Sequence, residues 1–544
     1  MQNLHMQNMK KYLFSGLLLL LTNQALAVLP SSVQGTLGKR ISGNSVVQII
    51  NDGTAIWIGT NSGISRTTDG GSNWEFFRRA EGLNSNELSA LGFVSGRVLA
   101  ASAHTGVISE VEIPIGDGFN YTTDGGANWP SSKPFQASSP GMLVYDIASH
   151  DSVFWAGAFF GGLVRSFDGG VNWENVFVDT FAQNDFLDSS FLDYRNRYFA
   201  VLSDTSRMDT TLIWAGTAAG IQKIVYTDTT EFDTLFYYQN IDPDTCIFQK
   251  SHLCDSTDVA IGWHIESDTF ICGSQQVLKI DSIPCAFVDS SVTDVDSIII
   301  LPQITGNFVA AMGINYAVSP PAVWGAARPT FSGATAVNFT RDAGQTWDTT
   351  LSGEFVWDFA FQDTVVWAAT SSGLKRSENW GQSWTTFTGM VDAYDSCNCQ
   401  IINPEFYAVL VSNDTVWAGG ADGLAMTTDN GLTWTVFRAF VPIGSAGTPG
   451  AYAYPTPFSP RLSGGATRIH YKPSQGGDIT IKIYDFAMNL VVTVIEKQNR
   501  PGGTDCEEPW DGKDQDGDEV ANGVYFFKVE MPGETQWGKV VILK

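Results

Sequence analysis

One eight-residue pattern, Ser/Thr-x-Asp-x-Gly-x-x-Trp, recurs along the middle of the chain and limits its fold more than any other feature. It first stands as Thr67-Thr68-Asp69-Gly70-Gly71-Ser72-Asn73-Trp74. It returns with Asp124, Gly126 and Trp129, with Asp168, Gly170 and Trp173, with Asp342, Gly344 and Trp347, and with Asp429, Gly431 and Trp434. A sixth copy carries Asn in place of Asp, as Asn379, Gly381 and Trp384. A second element precedes most copies, as in Trp57-Ile58-Gly59-Thr60 followed by Gly63-Ile64-Ser65-Arg66. Its relatives begin at Trp155, Trp214, Trp367 and Trp417, with a weaker one at Phe270. Alternating apolar stretches such as 46–50, 356–361 and 407–411 lie upstream, so each unit reads as strand, turn, strand, Gly turn, strand, octet turn, strand.

Most octets follow one another at intervals of 37 to 55 residues, but 174 residues separate Asp168 from Asp342. That gap holds room for two units without the octet, around Trp214 and Phe270. The expectation is an all-β chain: a β-propeller of eight four-stranded blades, or seven if one degenerate unit is an insertion. A four-stranded unit cannot bury both faces alone, so the units must stack around an axis. Within the octet, the Asp carboxylate is expected to accept backbone N–H bonds inside the turn, the Gly to supply a positive φ, and the Trp to pack between neighbouring blades.

The two ends read differently. Lys10 and Lys11, the apolar run from Tyr12 to Leu21 and Ala25-Leu26-Ala27 form the pattern of a secretory signal peptide over residues 1–27. That apolar run is too short to span a bilayer, and no later segment is long and apolar enough, so the expected location is secreted or at the cell surface, with no transmembrane segment. The propeller is assigned to 28–443 and a small-residue linker to 444–451. Residues 452–544 read as about seven short strands and hence as a β-sandwich.

The formal net charge is −26, from 31 Lys and Arg against 57 Asp and Glu. Such a chain is a poor partner for nucleic acid or an anionic membrane face. Seven cysteines fit an oxidising compartment without forming a dense framework. Cys246–Cys254 and Cys272–Cys285 fit as bridges, Cys397-Asn398-Cys399 is too tight for an ordinary one, and one cysteine, with Cys506 the seventh, must stay odd.

The octet resembles the Asp-box, or BNR repeat, of sialidases, sortilin-type receptors, xyloglucan-degrading glycosidases and a photosystem assembly factor. The resemblance implies a propeller with the boxes on the outer rim, away from an axial site. The end of the chain resembles the Ig-like domain of flagellar hook-capping proteins and the C-terminal sorting domain of type IX secretion cargo. The shared marks are Tyr454-Pro455-Thr456-Pro457-Phe458, Ile483-Tyr484-Asp485, Trp510-Asp511-Gly512, Gly523-Val524-Tyr525 and the last Lys-bearing strand. This resemblance implies secretion machinery as one partner, then surface attachment or release. Thr456 stands where the pattern usually has Asn, and Asn489 where a turn Gly is usual, Asn being tolerant of the left-handed region.

No catalytic signature stands out. Arg40-Ile41-Ser42 only approaches the Arg-Ile-Pro motif of sialidases. Arg66, Arg165 and Arg376 share one repeat position next to the box, which makes them structural by periodicity. No carboxylate pair is singled out for glycoside hydrolysis, His264 stands alone, and no cofactor is expected. Asp514, Asp516 and Asp518 form a weak calcium candidate that also reads as a plain Asp-Gly turn. The function expected is non-catalytic recognition of an extracellular glycan or protein, with a secreted glycoside hydrolase as the alternative. An axial pocket with two facing carboxylates or three Arg would favour the hydrolase.

Overall fold

The structure, a computed structural model, describes residues 39–94, 96–108, 111–132, 143–150, 153–159, 161–175, 197–206, 210–218, 220–227, 232–237, 263–272, 275–284, 304–306, 308–329, 334–461 and 465–544. The expected signal segment 1–27 and Cys246, Cys254 and Cys285 lie outside them. So do the two expected bridges, since Cys272 is described only as part of a strand. Among the described residues no helix is long and apolar enough to cross a membrane.

Among the described residues, seven four-stranded antiparallel sheets follow one another along the chain before residue 451, each with its strands in sequence order. The first comprises Val46–Asn51, Ile56–Thr60, Gly63–Thr67 and Glu75–Phe77. The other six begin with the strands Glu87–Val94, Val144–His150, Tyr198–Asp204, Phe308–Asn315, Val356–Gln362 and Phe406–Ser412. These first strands pack each on the next, and the seventh packs back on the first, so the sheets close into a ring. The architecture is a β-propeller. Asn44 fastens the closure by exchanging two hydrogen bonds with the backbone of Ala439, at 3.0 and 2.6 Å.

Among the described residues, one of the units expected for a count of eight rather than seven is not a four-stranded sheet. Trp214 does lie in a four-stranded sheet, the fourth. Phe270 lies instead on a two-stranded hairpin, Trp263–Cys272 with Gln275–Pro284. The ring passes it by: the first strand of the fourth sheet packs directly on that of the fifth, and Trp347 meets Trp214 at 6.4 Å. The fifth sheet has its own Trp in the second-strand position, Trp324, which the sequence reading missed because Trp-Gly-Ala replaces Trp-Ala-Gly.

Trp57, Trp155, Trp214, Trp324 and Trp367 are at most 1% exposed. Each ring removes about 150–250 Å² from water, a gross gain of roughly 4–6 kcal/mol at about 25 cal/mol per Å². Because the second-strand Trp recurs in six of the seven sheets, with Leu99 at that position in the second, this gain is distributed around the ring and ties each sheet to its neighbour.

Residues 451–544 form two antiparallel sheets over one core. Ala451–Tyr454, Thr467–Tyr471 and Cys506–Trp510 make one, and Leu490–Arg500, Gly477–Tyr484, Gly523–Met531 and Glu534–Ile542 the other. Alternation places Ile479, Ile481, Ile483, Phe527, Val529, Val540 and Ile542 inward, all fully buried. In the turn after Tyr484 the positive φ falls on Met488 (67°), not on Asn489. Asn489 is held through its backbone and side-chain N–H groups by Asp485, at 2.7 and 2.9 Å. Thr456 Oγ1 accepts the Val541 N–H at 3.1 Å, so the atypical Thr is used in the fold.

Candidate functional site at the axial mouth

All six octets adopt one turn. In the first, Thr67 Oγ1 donates to Asp69 Oδ1 (2.9 Å) and accepts the Gly71 N–H (2.9 Å). Asp69 also accepts the backbone and side-chain N–H groups of Asn73, at 2.9 and 2.8 Å. The same backbone bond recurs at Asp124, Asp168, Asp342 and Asp429, with the Thr346 and Thr433 hydroxyls donating in place of the Asn amide at the last two. At Asn379, the amide oxygen accepts the Ser383 N–H and the amide nitrogen donates to Ser383 Oγ. The hydrogen bonds hold the Asp69, Asp124 and Asp429 carboxyls below their ordinary pKa, Asp429 at about 2. At Asp168 and Asp342 the same bonds outweigh the opposing effect of burial.

The other octet residues face the preceding sheet. A Cβ on Gly71 would stand 2.6 Å from Phe437, so this glycine is required by packing as well as by its φ of 87°. Gly126, Gly170, Gly381 and Gly431 meet Phe77, Leu99, Trp324 and Phe387 in the same way, while Gly344 repeats the positive φ at 93°. Trp74 packs on Trp417, Trp129 on Trp57, Trp173 on Phe119 and Trp434 on Phe387. Trp384 donates to Thr350 Oγ1 of the preceding sheet at 3.0 Å. Arg66, Arg165 and Arg376 pair with Glu75, Glu174 and Glu378 and lie over Trp57, Trp155 and Trp367.

The octets occupy the turn after the third strand, so antiparallel order puts them at one end of the ring. The starts of the first strands lie at the other end. There, every first strand carries a bulge at its second or third residue. A bulge re-aims side chains, and four of these seven positions are aromatic: Tyr145, Phe199, Trp357 and Tyr407. Phe159 and Phe308 join Tyr145 and Phe199 in one ring cluster, with centroids 4.3 to 6.3 Å apart. Trp357 meets Tyr407 at 5.9 Å. Arg328, at the end of the second strand of the fifth sheet, lies over Phe355 and Trp357 at 4.6 and 4.2 Å.

Arg328 Nε and Nη2, Trp357 Nε1 and the Tyr145 hydroxyl are buried here with no hydrogen-bond partner among the described residues. Burial pulls Arg328 down to about 10, against the charge of Glu405. Burial raises Glu405, although the Tyr407 hydroxyl, which donates to it at 3.0 Å, and Arg328 both oppose this.

The residue after each bulge also faces the axis. At three sheets it is polar and binds the next sheet's backbone. Gln48 accepts the Leu91 N–H (2.6 Å), Asp146 the Val201 N–H (2.9 Å) and Asp358 the Val409 N–H (2.9 Å). Burial pushes Asp146 up to about 6 and Asp358 up to about 7, the charge of Asp146 adding to the rise at Asp358. Two mutually interacting carboxylates therefore lie in the axis, and the sequence reading named neither. The signal that could have found them is the repeated pair of an aromatic and then a small or acidic residue at a fixed offset before the Trp element: Tyr145-Asp146, Phe199-Ala200, Trp357-Asp358 and Tyr407-Ala408.

The remaining predicted residues lie elsewhere. Arg40 pairs by a backbone bridge with Arg438 and rests over Phe440, outside the axis. His264 is on the two-stranded hairpin. Asp514 Oδ1 accepts the N–H groups of Asp516 and Asp518, both at 3.0 Å, which closes an exposed turn. Among the described residues no three His, Cys, Asp or Glu gather as metal ligands do.

No protein-family model and no curated protein matches the chain by sequence. Solved structures of similar shape include PorZ, a surface component of the type-IX secretion system of Porphyromonas gingivalis: 18% identity, 92% of this chain, 66% of that one, TM-score 0.33. The extracellular domain of the putative hybrid two-component system BT4673 from B. thetaiotaomicron matches at 13% identity over 82% of this chain and 45% of that one, TM-score 0.38. YCF48 from Cyanidioschyzon merolae matches at 15% over 73% and 98%, TM-score 0.39. The chain thus spans less than two thirds of the first two. None of the three identifies its family.

Proposed function

We propose that this protein is an exported recognition module, a seven-bladed Asp-box propeller that binds an extracellular glycan or protein at its axial mouth. The octets act as structural turns in this reading, and residues 452–544 as an Ig-like sorting or anchoring domain reached through the linker 444–451. The observation that carries it is the mouth itself. Aromatic rings line it, and Arg328, Trp357 and Tyr145 bring buried donors without partners among the described residues, which cost free energy unless something satisfies them. Aromatic platforms with a few polar groups suit sugars and peptide side chains alike.

One observation favours a second reading, a glycoside hydrolase. Asp146 and Asp358 interact in the axis and have raised pKa values, as an acid and base pair does. Against it, both oxygens of each carboxylate already accept backbone N–H groups, which gives them a structural task. The test is a binding and hydrolysis screen of residues 28–544 on a panel of plant, bacterial and sialylated glycans, with Trp357→Ala and Asp358→Asn in parallel. Binding without turnover that Trp357→Ala abolishes supports recognition. Turnover lost in Asp358→Asn establishes the hydrolase instead.

A further inference from the structure

The C-terminal sandwich does not simply follow the ring along the chain. It is fastened to the ring's mouth end by three independent kinds of bond. Cys397, in the loop between the sixth and seventh sheets, forms a disulfide with Cys506 at the start of a sandwich strand. Asp422 and Arg438 of the ring and Arg468 and Glu507 of the sandwich form a quartet of alternating charge. Arg468 Nη2 lies 2.5 Å from Asp422, Arg438 Nε 3.4 Å from Glu507, Arg438 bonds Asp422 directly, and Arg468 Nη1 stands 3.9 Å from Glu507. Arg438, Arg468 and Glu507 are at most 4% exposed. Hydrogen bonds surround the quartet: Asn398 to Glu508, Arg468 to the Gln400 carbonyl, and the Ile443 N–H to Asp505.

We propose that the sandwich is a permanent part of the ring's mouth end, and that cutting the connecting segment between residues 444 and 450 does not release it. That segment is largely exposed, as a protease site must be. Once it is cut, the Cys397–Cys506 bond still joins the two pieces covalently, and the neutral, largely buried quartet holds them in register. Release takes disruption of the quartet as well as cleavage and reduction.

The docking also positions the mouth. Asp422, gripped by Arg468, accepts the N–H groups of Ile402 (2.8 Å) and Asn403 (3.5 Å). That loop leads directly to Glu405 and Tyr407. Arg468 is thus a positioning residue, acting on the mouth from the other domain.

The test inserts a specific protease site after Gly447 in the otherwise full chain. After complete cutting, one peak is expected in size exclusion without reductant, one band on a non-reducing denaturing gel, and two bands once reductant is added. Two bands without reductant, or two peaks, overturn the proposal. Cys397→Ser with Cys506→Ser, cut in the same way, is expected to elute as one native peak because the quartet persists. Two peaks there would leave the disulfide as the whole tie and refute the role of the quartet. Thiol labelling of the intact chain at Cys399, in the same loop, reports the positioning claim, with Cys399→Ser as the blank. Arg468→Ala is expected to raise the labelling rate at least tenfold, and an unchanged rate refutes the positioning role.

Discussion

The octet turns allow a graded test of what each of their residues does, carried out on the first copy. Asp69→Asn copies the natural Asn379 turn, in which the amide oxygen still takes the key backbone N–H, so a change below about 0.5 kcal/mol is expected. Asp69→Ala removes the acceptor of the Asn73 N–H, the Asn73 amide and the Thr67 hydroxyl. The turn is exposed, water replaces part of what is lost, and a cap-like deletion of this kind costs about 1–2 kcal/mol. Gly71→Ala is the most severe. Its φ of 87° strains a Cβ-bearing residue by roughly 1–3 kcal/mol. The new methyl also lies 2.6 Å from Phe437 of the seventh sheet, and overpacking of a filled core costs about 1–3 kcal/mol. Together these give roughly 2–5 kcal/mol, applied at the junction that closes the ring. Urea unfolding followed by circular dichroism measures all three. The expected order is Asp69→Asn, then Asp69→Ala, then Gly71→Ala, with ligand binding unchanged in the folded variants. If Gly71→Ala proved as mild as Asp69→Asn, the packing of the octet glycine against the neighbouring sheet would be wrong. If Asp69→Ala altered binding specificity without loss of stability, so would the structural role of the Asp.

Four further outcomes follow from the buried charges. Arg468→Ala leaves Asp422 and Glu507 buried with half their compensation and is expected to cost about 3–5 kcal/mol, read as an earlier unfolding transition of the sandwich. Burial opposes the charge on Glu507, but His470 and the two arginines outweigh it and hold its pKa at about 2. The Glu507 contribution is therefore complete above the ordinary value of 4.5 and lost as pH falls toward 2; acid titration of the cut, disulfide-free variant should separate the pieces in that window. His470 has the opposite sign. Asp505 and Glu507 raise its pKa against burial, so its contribution is complete below 6.5 and declines as pH climbs through the raised value. Asp358, raised by burial to about 7, makes the ring lose stability as pH rises from about 4 to 7; Asp358→Asn should flatten that part of the profile, and an unaltered slope would place the titration elsewhere.

The disposition of the repeats was legible because it is a local matter. An octet turn satisfies itself within eight residues, and a strand that is buried on one face alternates in sequence, so both leave a periodic trace that needs no partner to be read. The sandwich strands, too, were visible in the alternation around Ile479–Ile483 and Val524–Phe527. The unit at Phe270 misled for the same reason: a short apolar strand reads alike whether its hairpin joins the ring or projects from it. The packing of the fourth sheet on the fifth, first strand on first strand and Trp347 on Trp214, shows which.

What the tertiary structure alone decided is everything that depends on closure. Asp146 and Asp358 are ordinary acidic residues in sequence, 212 positions apart. They become an interacting pair because seven first strands converge on one axis. Arg328 meets Phe355 and Trp357 only where two sheets abut. Cys397 and Cys506, 109 residues apart, and the four charges beside them face each other because the sandwich docks on one end of the ring. Sequence records what a residue needs from its near neighbours. Closing the ring and docking the sandwich decide which distant residues become neighbours, and the axial mouth and the junction are built from those.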